Sequence, residues 1–100
     1  MATINLQYHR CPSAMTRARK FIAHFHASDD ETGVITTIEP ALMQHIEAVL
    51  NSDYPHLIAS LTNVTAIDRE TLQRWEAEPL FDEDDLDRAD NIITIKICRG

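Results

Sequence analysis

Residues 91–98 read Asn-Ile-Ile-Thr-Ile-Lys-Ile-Cys, which places Ile93, Ile95 and Ile97 on one side of an extended chain and Ile92, Thr94, Lys96 and Cys98 on the other. This is the strongest strand signal in the sequence. It constrains everything else, because a lone strand leaves its backbone donors and acceptors unpaired. The chain must therefore supply neighbours. Thr3-Ile4-Asn5-Leu6-Gln7-Tyr8 alternates in the same way, setting Ile4, Leu6 and Tyr8 on one face. After Gly33, Val34-Ile35-Thr36-Thr37-Ile38 is a β-branched run of strand length. The N-terminal and C-terminal strands are expected to lie side by side.

Helical spacing fills the rest. Pro12 and Ser13 mark a helix start, and Ala14, Ala18, Phe21, Ile22 and Phe25 follow as one apolar stripe with Arg17, Lys20 and His24 opposite. Glu39-Pro40 opens a second helix through Leu42, Met43, Ile46, Val49 and Leu50, which Asn51-Ser52-Asp53 is expected to end. Pro55 is read as the start of a short third helix carrying Leu57, Ile58 and Leu61, with a linker after Asn63. Asp68 caps a fourth that turns Ile67, Leu72 and Trp75 inward and stops at Pro79. One hundred residues close a single hydrophobic core, so residues 1–100 form one domain. The expected architecture is α+β: a small sheet of two or three strands (N-terminal, middle and C-terminal) covered by about four helices.

The net charge of −7 is unevenly placed. Residues 1–28 hold Arg10, Arg17, Arg19 and Lys20 and no acid at all. Residues 76–90 hold eight acids (Glu76, Glu78, Asp82, Glu83, Asp84, Asp85, Asp87, Asp90) against Arg88 alone. Such a run either keeps the chain soluble or presents a phosphate-like row of charge to a basic partner. Leu80, Phe81 and Leu86 are the apolar residues available to pin it to the core.

Several functions are disfavoured on composition. With two glycines, Gly33 and Gly100, the chain has no phosphate-cradling loop, and no nucleophile elbow or His-Glu-x-x-His pattern occurs. Cys11 near His9 is a conceivable nucleophile and base, yet sequence proximity is not spatial arrangement. Asp82, Asp84 and Leu86 sit where an EF-hand would begin, without its turn glycine or closing Glu. His24 and His26 point to opposite sides of a helix, and His9 with Cys11 is one pair where zinc needs about four ligands. No enzyme activity, cofactor or metal is expected. No apolar run approaches the roughly 20 residues of a membrane span, no signal region opens the chain, and two cysteines make no disulfide framework. A cytoplasmic protein with reduced thiols is the expectation.

Leu61-Thr62-Asn63-Val64-Thr65 followed by Thr71-Leu72-Gln73-Arg74-Trp75-Glu76 resembles the helix-turn-helix of small repressors and antitoxins over about a quarter of the chain. That resemblance implies a DNA-binding regulator whose second helix uses Arg69, Gln73 and Arg74. Residues 66–70 lengthen the turn, and Asn63 stands where glycine is usual. Asp68, Glu70, Glu76 and Glu78 also outnumber Arg69 and Arg74, so backbone phosphates repel this helix. Leu72 and Trp75 then read more simply as core residues.

In size and acidity the chain is similar to inhibitors carried by bacteriophages and mobile elements, anti-CRISPR proteins among them. The likeness is one of composition. It implies a non-enzymatic inhibitor that binds a basic nucleic-acid-binding surface of a protein partner by charge mimicry, without binding nucleic acid itself. Asp82, Glu83, Asp84, Asp85 and Asp87 supply the charge and Phe81 the apolar anchor. A third reading is an acidic self-assembling subunit, a homodimer for example, in which the basic face of Arg10, Arg17, Arg19, Lys20, His24 and His26 meets the acidic segment of a second copy.

Overall fold

In the computed structural model, which describes residues 1–100, the elements run β1 (Ala2–Asn5), α1 (Ser13–Ala27), β2 (Thr32–Thr37), α2 (Leu42–Asp53), β3 (Leu57–Ala66), α3 (Arg69–Glu76), a 3₁₀ turn (Glu83–Leu86) and β4 (Asn91–Arg99). The class is α+β as expected, but the sheet has four strands and there are three α-helices. The strands lie in the order β1-β2-β4-β3, with β1 and β2 parallel and β4 antiparallel to both of its neighbours.

Two expectations about the strands are corrected with it. The terminal strands are not adjacent, because β2 lies between β1 and β4. Residues 57–66 are a strand where a short helix and a linker were expected. The apolar positions Leu57, Ala59 and Leu61 alternate, and a bulge at Thr62 then shifts the phase, so that Val64 pairs with Ile93 and Leu61 with Ile95. That shift hides the two-residue period and leaves Leu57, Ile58 and Leu61 looking like helical spacing. The strand β4 pairs with β2 along one edge, and along its other edge it supplies the partner for this uncharged segment, β3.

Helices α1 and α2 cover one face of the sheet. Ala14, Met15, Ala18, Ile22 and Phe25 of α1, with Leu42, Ile46, Val49 and Leu50 of α2, meet Leu6, Ile35, Leu57, Ile95 and Ile97 in one buried cluster. At Gly33 a side chain would begin 3.2 Å from the rings of Phe21 and Phe25, so the missing Cβ lets α1 lie close on β2. The alternation of β4 is kept, with Ile95 and Ile97 fully buried and Lys96 exposed. Helix α2 runs through Asn51-Ser52-Asp53, because Val49 and Leu50 hold its last turn to the core.

The opposite face is covered only at one end. There Tyr8, Ile38, Trp75 and Ala89 form a second buried cluster, with Ile67, Phe81, Leu86 and Ile92 packed against it. Asp68 caps α3 as expected, its carboxylate accepting a 2.7 Å hydrogen bond from the Thr71 N–H. No helix is long and apolar enough to cross a membrane.

Ile95→Ala, at a fully buried position, is expected to lower the unfolding free energy by about 3 kcal/mol in urea denaturation. Ile58→Ala, on the half-exposed part of β3, should change it by less than about 0.5 kcal/mol. Equal losses at the two positions would contradict this assignment of faces.

Candidate functional site

The acidic segment is built from the backbone outward. Asp82 takes extended φ and ψ and starts the 3₁₀ turn as its cap, its Oδ1 accepting from the Asp84 N–H at 2.9 Å. Asp85 replies with Oδ2, which accepts from the Asp82 N–H at 3.1 Å. Two carboxylates are thus used to close the turn on itself. The side chains of Glu83, Asp84 and Asp87 are exposed and make no internal hydrogen bond or ion pair. Asp85 is half-buried.

Two contacts join this turn to the rest of the protein. Phe81 is half-buried, its ring 5.1 Å from that of Tyr8 in an edge-on arrangement and 6.5 Å from Trp75. Leu86 packs on the same cluster, whereas Leu80 is 87% exposed and anchors nothing. The second contact is Arg10. Its Nη1 donates to the Asp85 carbonyl at 2.8 Å and to the Asp87 carbonyl at 2.6 Å. Its Nε faces Glu39 Oε1 at 3.3 Å.

Glu39 is the anchor of Arg10. It lies between β2 and α2, only 8% exposed, and its carboxylate also accepts from the Cys11 N–H at 3.1 Å and the Ala41 N–H at 3.3 Å. Burial alone would raise its pKa, but the bonds from Cys11, Ala41 and Arg10 outweigh burial and hold the carboxyl below its ordinary value. In the sequence, Arg10 reads as a member of the basic face and Glu39 as a helix start. Only Glu39 left a local trace, as the acid before Pro40; the reach of Arg10 to residues 75 and 77 positions away has none. Arg17, Arg19, Lys20, His24 and His26 stay exposed on α1, free of carboxylate partners.

The alternative site separates. Leu61-Thr62-Asn63-Val64-Thr65 belongs to β3, so no helix precedes α3 to make a helix-turn-helix. Arg69, Gln73 and Arg74 are exposed on the two turns of α3, and Arg74 Nη2 bonds to Thr71 Oγ1 at 3.2 Å. Beneath α3 a recess of about 310 Å³ opens toward the bare face of the sheet, lined by Asn5, Gln7, Thr36, Arg74 and Glu78 among others. In it the Thr71 hydroxyl accepts from Arg74, and Glu78 accepts a hydrogen bond from the Tyr8 hydroxyl that raises the tyrosine pKa. Elsewhere, burial pushes the Cys11 thiol up and the His9 imidazole down. No group of three or more His, Cys, Asp or Glu side chains is placed to share a metal ion.

No protein-family model, no curated protein and no solved structure matches this chain.

The depressed pKa of Glu39 means that its ionised form is favoured by folding. Its contribution is therefore full above the ordinary carboxyl range and is lost as pH falls through the lowered folded value. Glu39→Gln should cost about 2–3 kcal/mol at neutral pH, since it leaves Arg10 half-paired, and should flatten the acid limb of stability against pH. Urea midpoints from neutral to strongly acidic pH measure both effects; an unchanged acid limb would contradict the assignment.

Proposed function

We propose that this protein is a non-enzymatic inhibitor that docks its acidic turn on the basic, nucleic-acid-binding surface of a protein partner. The observation that carries this reading is the tether. Arg10 holds the backbone of the turn at Asp85 and Asp87, the Asp82–Asp85 capping box closes it, and Phe81 roots it in the aromatic cluster. A fixed turn has already lost the backbone freedom that a floppy acidic tail would lose on docking, about 1–2 kcal/mol per residue.

The charge is dense. A 3₁₀ backbone rises about 2.0 Å per residue, so the free carboxylates of Glu83, Asp84 and Asp87 fall along about 8 Å. That is one carboxylate per about 3 Å, about half the density of one phosphate charge per about 1.7 Å of duplex axis. The −7 carried by residues 76–90 also keeps nucleic acid itself away from this face. The reading places the protein in the cytoplasm, and the free thiols of Cys11 and Cys98 suit a reducing compartment.

The test uses purified basic nucleic-acid-binding proteins, each loaded with a fluorescent DNA duplex. The wild-type protein should displace duplex from at least one of them without shifting the duplex alone. The triple variant Glu83→Gln/Asp84→Asn/Asp87→Asn spares the capping box, so it should melt like the wild type and displace duplex about tenfold less well or worse. Equal displacement by the triple variant, or none by the wild type across the set, removes the reading.

A further inference from the structure

We infer that the free edge of β3 is a dimerisation surface on which two copies of this chain pair β3 with β3, antiparallel, to make one eight-stranded sheet. One edge of β3 is taken by β4, and residues 58–66 make no hydrogen bond to any other element. The other edge is bare. Ile58 and Leu61 are each 53% exposed and Val64 is 49% exposed. Ten residues of strand extend about 33 Å, nearly the whole 38 Å length of the molecule.

Exposed edges of this length are normally blunted by lysine, proline or a covering element. Leu57–Ala66 contains no Asp, Glu, Lys, Arg or Pro, although charged residues make up 25% of the chain. The bulge at Thr62 is its one irregularity. The opposite edge, β1, has four residues and offers no comparable strip.

Three considerations select a second copy as the occupant. An antiparallel pair about a two-fold axis makes any strand its own complement. The uncharged strip is also where two chains of net charge −7 can approach without opposing charges, while a charged peptide finds no ion partner there. Size is the third. A strip about 33 Å long and one sheet layer, about 10 Å, deep is on the order of 300 Å² per copy, which suits a weak pair that forms as concentration rises and not a permanent dimer.

Sedimentation velocity from micromolar to near-millimolar protein tests this, at low and at high salt. The wild type should pass from monomer to dimer with rising concentration, with no loss of dimer at high salt. Leu61→Lys/Val64→Lys should weaken the dimer about tenfold or more with an unchanged circular dichroism spectrum. Should that variant fail to fold, amide exchange of the wild type decides instead: protection over residues 58–66 must rise with concentration. A monomer at every concentration, a dimer indifferent to the two lysines, or a dimer dissolved by salt, as pairing between the basic face of α1 and the acidic turn would be, each overturns the inference.

Discussion

The pairing of Arg10 with Glu39 is the interaction on which the arrangement of this protein depends. Glu39 is almost wholly removed from water, and a carboxylate so placed is tolerated only when its oxygens are filled. The groups that fill them are the N–H of Cys11, the N–H of Ala41 and the guanidinium of Arg10. The loop after β1 and the start of α2 are thereby fixed to one another. Through Nη1, Arg10 also donates to the backbone carbonyls of Asp85 and Asp87. Arg10, together with the packing of Phe81 and Leu86, thus gives the acidic turn its place without pairing with any carboxylate of the turn.

The sheet is covered unequally, and this follows from the connections. The segments after β1 and β2 return through α1 and α2 on the same face, where the large core forms. What covers the other face is the polypeptide between β3 and β4, and it reaches only the end where Trp75, Phe81 and Tyr8 meet. The acidic turn sits on that aromatic support, while most of β3 is left without cover. The bare edge of β3 has a separate origin, since β3 is the outermost strand of the sheet.

Much of the fold is legible in the residues. The alternation of residues 91–98, the apolar stripes of α1 and α2 and the Asp68 cap are all local patterns, and the structure keeps each of them. Residues 57–66 are not legible, because the bulge at Thr62 breaks the period by which a strand is recognised. The neighbours of β4 are equally hidden, since strand order depends on crossovers and not on any one segment. Within the acidic segment, the density of charge and the anchor Phe81 can be read directly. Its order cannot, because it rests on Arg10, distant in the chain, and on Asp82 and Asp85 answering one another's backbone.

Charge mimicry depends on that order, since a mobile acidic loop would be explained by solubility alone. The direct measurement is ¹⁵N relaxation of the backbone amides of Glu83, Asp84, Asp85 and Asp87 in the free wild-type protein. A turn held by Arg10 should give order parameters close to those of β4, about 0.85. Values below about 0.6 in these residues, with β4 rigid, would contradict it.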